Sequence, residues 1–358
     1  MSLKLFTCTL ALGILFSCQS AFDRTLKESS FQGAVLVAKG GKVLFCKAYG
    51  LADVENGVPN TPQTVFRIAS ITKPFTGIAI LQLHERGLLN IHDPIAKYLD
   101  YPEGDKITIH HLLCHTSGIP NITKLPNFAA IQLQPTTPQE TMRHFQALPL
   151  RFTPGERCEY SDSGYIVLGA IVEAVTGLSY AEYVQEHIFG PLKMHSTYCD
   201  DGRQLIPHRA LGYAQKERKL FSANYIDMTL PYAAGGIAST VEDLYRLMEG
   251  LGVLLSQKSL DLLFTVHAEG QSIACGYGFR IGPKNPEFEG LSQATVGHFG
   301  GIEGFKAALI RSDDFTMIIL SNGEETPIHL LTQELNHVYT MPISFRLFRE
   351  GCFQICQL

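Results

Sequence analysis

A chain of 358 residues, 45% apolar and 18% charged, has a globular composition and is long enough to bury a sizeable core. Its net charge of −5 is spread without a basic stripe or an acidic tail, which argues against a nucleic-acid partner and against a solvating arm. Nine cysteines are scattered with no CxxC and no paired Cys/His spacing, so no metal set and no disulfide connectivity follows from them. Cys352 and Cys356 stand close in sequence and leave a disulfide open.

In chain order, residues 1–21 carry one charge, Lys4, before an apolar stretch from Leu5 to Phe16. That is too short to cross a bilayer and suits the core of an export signal. Leu15 to Cys18 resembles a bacterial lipobox, with Cys18 as the lipid acceptor. Phe16 is bulkier than that pattern prefers, so plain secretion and an uncleaved anchor or buried helix stay open beside it. The expectation is an exported protein, periplasmic or held at the cell envelope by a lipid. The single domain would then run over 22–358.

Residues 31–50 read as two apolar β-runs around Lys39-Gly40-Gly41-Lys42, where the glycines supply the positive φ of a hairpin turn. Residues 74–87 carry apolar side chains at helical spacing and stop at Gly87. Helices also fit 164–177, 179–189 and 239–254; the last opens with Ser239-x-x-Glu242, a capping-box pattern. A second hairpin spans 305–311 and 315–322. Strands at both ends with helices between predict an α+β fold: an antiparallel sheet flanked by helices, with a mostly helical lobe over about 76–230 inserted in it, and a cleft between the lobes. The tail from Pro342 has no clear period.

The chemistry starts at Arg67-Ile-Ala-Ser-Ile-Thr-Lys-Pro. Ser70 and Lys73 lie three apart at the mouth of a helix, so both side chains can enter one cleft. Pro74 fits the first turn, whose N–H groups lack intrahelical partners. Ser70 would sit at the positive end of the helix dipole, and a desolvated Lys73 would hold a depressed pKa and help remove the serine proton. An N-cap serine followed by an exposed lysine is the plain alternative for those two residues taken alone.

Their neighbours, through "ITIHHLLCHTSGIP" (107–120), resemble the serine β-lactamase-related family, which includes class C β-lactamases, D-alanyl-D-alanine carboxypeptidases and penicillin-recognising esterases. The resemblance covers most of residues 31–325 and implies an acyl-serine mechanism, with Ser70 as nucleophile and Lys73 as its proton partner. Such proteins carry Tyr-x-Asn after a Pro-Gly turn; the matching residues are Tyr160-Ser161-Asp162. This implies that Tyr160 takes the serine proton and returns it to the leaving group. Asp162, in place of asparagine, can accept from Lys73 but offers a substrate no amide donor. Another register sets Ser161-Asp162-Ser163 against a Ser-Asp-Asn motif; the flanking residues favour the tyrosine reading.

On the strand that in β-lactamases carries Lys-Thr-Gly, this chain has His298-Phe299-Gly300, followed by Gly301. The resemblance implies an oxyanion hole from the N–H groups of Ser70 and Gly301. Without a fixed cation at 298 or a hydroxyl at 299, the substrate expectation shifts from penicillins toward esters, amides or other peptides. Two alternatives stay open: a slowly deacylating or non-hydrolytic penicillin-binding sensor, and a true class C-like β-lactamase or carboxypeptidase. His110, His111 and His115 lack the partners of a zinc set, so neither metal nor organic cofactor is expected. "AAGGIAST" (233–240) lacks the Lys-Ser/Thr of a phosphate loop and reads as a loop lining the cleft. No Gly-x-Ser-x-Gly elbow occurs.

Overall fold

The structure, a computed structural model, describes residues 19–340 apart from 218, 272, 283 and 293. Residues 1–18 of the expected export signal, with Cys18, and the tail from 342 with Cys352 and Cys356 lie outside the described residues, whereas residues 19–21 of that expected signal fall in the first helix.

Residues 19–28 form helix α1, tied down by the Gln19 side-chain amide donating to the Leu44 carbonyl and by Phe22 packed on Phe45. The first hairpin follows as read from sequence: Gly33–Lys39 (β1) and Lys42–Tyr49 (β2), with Gly40 and Gly41 at φ +53° and +73° in the turn. The chain then enters the mixed, largely helical region. It contributes Thr72–Glu85 (α2), Asp162–Thr176 (α3), and Tyr180–Val184 (α4), the last run on by a π-turn through Phe189. Val241–Leu254 (α5) leads back to the sheet. Short edge strands Ala268–Glu269 (β3), Ala274–Cys275 (β4) and Arg280–Ile281 (β5) precede the long strands Val296–Ile302 (β6), Phe305–Ser312 (β7) and Phe315–Ser321 (β8). Ile328–Thr340 (α6) closes the described chain.

These strands make one antiparallel eight-stranded sheet in the order β3-β4-β5-β6-β7-β8-β1-β2, so the N-terminal hairpin adds to the C-terminal strands through β1 on β8. Both faces are covered. Along β1, Ala34, Leu36 and Ala38 join the core shared with the helical lobe, while Val35 and Val37 join a second core under α1 and α6. Burial on both sides explains why β1 and β8 read as continuous apolar runs instead of alternating.

Two expectations shift in register. The cap of α5 is Thr240, whose hydroxyl accepts from the Asp243 amide; Ser239 is already inside a short strand, and its hydroxyl meets Thr197. The helix expected to open at Ser70 begins as a 3-10 turn, Ala69–Ile71, before α2 proper starts at Thr72. Ala69 there takes φ +47°, left-handed for a residue with a Cβ.

The 69–71 turn is clamped against β6. A Cβ on Gly300 would stand 2.2 Å from the Ile68 carbonyl oxygen, whereas one on Gly301 would meet only the flexible end of Lys306, at 3.2 Å. Gly300→Ala must therefore push β6 and the Ile68 backbone away from each other and should cost about 2 kcal/mol, the scale of core overpacking. Gly301→Ala should cost clearly less. Urea unfolding of the two variants checks the contrast, and equal losses would deny the close approach.

Candidate active site

Ser70 is presented by the 69–71 turn and Lys73 by the first turn of α2. The lysine side chain is wholly buried and three acceptors surround its ammonium. Nζ donates to Ser70 Oγ at 3.1 Å, to Asp162 Oδ1 at 2.7 Å and to the Ala234 carbonyl at 2.9 Å. The Ala234 contact gives the 233–240 segment its place in the cleft. Three donors on Nζ meet three acceptors, so this charge is paired and fully satisfied.

Asp162 reaches Lys73 because it opens α3. Ser161 is the N-cap, its hydroxyl accepting from the Gly164 amide, and Ser163 donates to the Pro120 carbonyl. With both serines spent on local structure, only the aspartate of that triplet lines the cavity of Ser70. Asn121 holds it on two sides: its Nδ2 donates to Asp162 Oδ2, and its Oδ1 accepts from the Asp162 amide.

The electrostatics overturn one expectation. Burial alone would push the Lys73 pKa down, but the Asp162 carboxylate, followed by Tyr160, outweighs it and the net direction is up. Burial likewise works against the Asp162 carboxylate, and the Lys73 ammonium beside it holds its pKa below the usual range. The resting pair is thus ionised, and Lys73 is a charged donor to Ser70 instead of the neutral amine that the sequence suggested.

Tyr160 stands against this cation from another side, its ring centroid 4.8 Å from Nζ. The ring also contacts His115, with centroids 4.6 Å apart, and lies 5.2 Å from the Arg280 guanidinium. It lines a cavity of about 1030 Å³ with Arg280 and Glu287, while Ser70 and Asp162 line a separate one of about 320 Å³, so the single cleft expected for Ser70 and Tyr160 is divided. Lys73 touches both Ser70 and the face of Tyr160.

Gly301 lines the Ser70 cavity, as expected. His298 and Gly300 do not. His298 is buried behind Tyr160, with ring centroids 6.1 Å apart, and its Nδ1–H donates to the Phe299 carbonyl at 2.6 Å. Burial, then the Arg280 and Lys73 charges, drive its pKa well down, so it is neutral. Gly300 is taken up by packing on Ile68. The three histidines weighed as a metal set serve structure: His110 meets the Tyr277 hydroxyl, His111 completes a capping box with Thr108, and His115 accepts from the Ser161 amide. No group of His, Cys, Asp or Glu suited to a metal occurs among the described residues.

Three charged residues in the Ser70 cavity escaped the sequence reading: Glu303, Lys306 and Glu324. Burial, with the nearby Glu324 charge, raises the Glu303 carboxyl above its usual range. The opposite wall is apolar and includes Ile122, Phe128, Ile166 and Leu230. A signal for the first two was available: β6 and β7 pair from Ile302 opposite Phe305 and Gly301 opposite Lys306, so Glu303-Gly304 is a two-residue turn at the cavity rim.

The beta-lactamase family model matches residues 19–336. Penicillin-binding protein 4* of Bacillus subtilis is 30% identical over 327 residues, which is 86% of this chain and 71% of that protein. The teichoic acid D-alanine hydrolase of Staphylococcus aureus is 33% identical over 236 residues, 63% of this chain and 55% of the other. The chain thus spans between about half and just over two thirds of these relatives. Among solved structures, a penicillin-binding protein from Bacillus halodurans superimposes with a TM-score of 0.77 at 28% identity, covering 87% of this chain and 97% of that one.

Because Asp162 holds Lys73 charged, Asp162→Asn removes the countercharge. The Lys73 ammonium then gives up its proton at lower pH, and because the protonated Lys73 holds the Ser70 hydroxyl, the alkaline limb of the kcat/KM profile should move to lower pH. A pH–rate comparison of the two enzymes checks this; an unmoved limb would deny the ion pair control of the Lys73 charge.

Proposed function

The chain belongs to the beta-lactamase family, and from that premise we propose that it is a serine hydrolase working through an acyl-enzyme on Ser70. One observation carries the reading: the hydroxyl of Ser70 is held by a buried, ion-paired ammonium, and it opens onto a cavity. In this scheme Ser70 Oγ attacks the substrate carbonyl and the Tyr160 phenol takes its proton, returning it to the leaving group. Lys73 stays protonated, and its charge favours the alkoxide character of Ser70. The N–H groups of Ser70 and Gly301 hold the oxyanion. Loss of one such donor costs about 3 kcal/mol in the barrier.

The substrate class is esters, amides or peptides, in preference to β-lactams. A neutral, buried His298 offers no fixed cation to a penicillin carboxylate. At the rim, Glu303 and Glu324 outnumber the one cation, Lys306, and so suit a positively charged group near the scissile carbonyl, and the apolar wall suits a small side chain. A D-alanyl ester has both features, and the relative named a teichoic acid D-alanine hydrolase supports that choice. Export, with lipid attachment at Cys18, belongs to the same proposal.

Mass spectrometry after brief exposure to a p-nitrophenyl ester and to a penicillin tests the scheme. A transient adduct on Ser70 with released product is expected from the ester, and Ser70→Ala should abolish it. A lasting adduct would favour the sensor reading; turnover of penicillin above that of esters would favour a β-lactamase. For the substrate class, Glu303→Gln should raise KM about tenfold for a D-alanyl ester, the scale of one charged contact, and leave its N-acetylated form unchanged. Equal effects on both esters would remove Glu303 from recognition.

A further inference from the structure

Two thiols that the acyl-serine scheme does not use meet beside the site. Cys158 lies two residues before Tyr160, on the segment that leads into α3; Cys275 lies on β4, near the edge of the sheet. Their Sγ atoms are 3.7 Å apart across a separation of 117 residues. Cys275 is almost wholly buried, whereas Cys158 is half-buried and lines the larger cavity together with Tyr160 and Arg280. The backbones are close as well: a Cβ on Gly270, in the β3–β4 connection, would stand 2.8 Å from the Cys158 carbonyl oxygen. The register sets Cys275 opposite Arg280, whose guanidinium lies over the Tyr160 ring.

We propose that Cys158 and Cys275 form a redox-active pair, and that a small-molecule disulfide reaching Cys158 through the larger cavity closes them into a disulfide that ties the Tyr160 segment to the sheet. The separation suits exchange, since the sulfurs must approach by less than the width of an atom to reach bonding distance, and the packing on Gly270 already holds the two segments together. The two thiols are also unequal. The hydrogen bond between the two sulfurs, with Arg280 nearby, lowers the Cys158 pKa against the opposing effect of burial, while that bond and burial raise Cys275. Cys158, the sulfur that lines the cavity, is therefore the attacking one.

In the first step the Cys158 thiolate attacks one sulfur of the oxidant R–S–S–R, forming a mixed disulfide and releasing RS⁻. The Cys275 sulfur, losing its proton, then attacks Cys158 Sγ and expels the second RS⁻. Two protein thiols are oxidised, the oxidant is reduced, and the two protons leave as two RSH. Cys114 stands nearby, its carbonyl accepting from Cys158 at 3.5 Å, but its own Sγ is engaged with the His110 carbonyl and Thr116.

The experiment uses the full chain and oxidised glutathione. Peptide mapping should find a Cys158–Cys275 cross-link, with a mass loss of about 2 Da for the two hydrogens and an upward shift in Tm because a long loop is closed. Dithiothreitol should reverse both. Cys158→Ser and Cys275→Ser should each abolish the shift, and the Tm of each reduced variant shows that it is folded. A glutathione adduct that persists on Cys158, a cross-link to Cys114, or two thiols that stay free would each overturn the proposal. None of these readouts depends on hydrolytic activity, so the result stands apart from the acyl-serine reading.

Discussion

A lysine ammonium that no solvent reaches must be satisfied by protein, and this one constraint organises the site. Taking such a charge out of water costs several kcal/mol unless a countercharge and further acceptors replace the solvent. Lys73 finds them in Asp162, Ser70 and the Ala234 carbonyl. These partners come from the first residue of α3, the turn before α2, and the connection that leads back to the sheet. The charge therefore links segments that are 161 residues apart in the chain. Removing any acceptor would leave the ammonium under-compensated, so the same interaction that poises the serine also fixes the seam between the lobes.

The sheet supplies the opposing wall by close contact of backbones. Because Gly300 has no side chain, β6 lies directly on Ile68 and brings Gly301 to the cavity that Ser70 faces. Sheet continuity carries this placement outward: β6 pairs with β7, β7 with β8, and β8 with the N-terminal β1. The first and last strands of the chain thus brace the wall of the site. Burial on both sheet faces makes that wall rigid, as befits a cavity whose polar groups must be in position before a substrate arrives.

On the other side of Lys73, the aromatic rings of Tyr160, His115 and Tyr165 pack together, and burial, helped by the neighbouring positive charges, keeps His115 and His298 neutral. The pKa of His115 is pushed down to about 3, by burial first and then by the Lys73 charge. A second cation beside Lys73 would repel it, so neutral imidazoles are the form that lets a single ammonium persist there. This is also why histidine at 298 does not act as a substitute for a fixed positive charge.

Local patterns in the sequence determined much of this protein. The Gly40-Gly41 hairpin, the helical spacing after Lys73, the stop at Gly87 and the Ser70/Lys73 spacing all follow from short-range sterics and periodicity, which a chain carries wherever it is read. The antiparallel sheet built from the two ends of the chain followed from the order of its elements. What only the tertiary structure decided are properties that need distant groups side by side. The charge state of Lys73 depends on a carboxylate 89 residues away, the burial of His298 on the packing around β6, and the cap of α5 on a strand that claims Ser239. Glu324, which follows β8, joined the site only because the fold sets its carboxylate against the β6–β7 turn at the cavity rim. Desolvation and Coulomb interactions act through space, and a linear reading contains no distances from which to sum them.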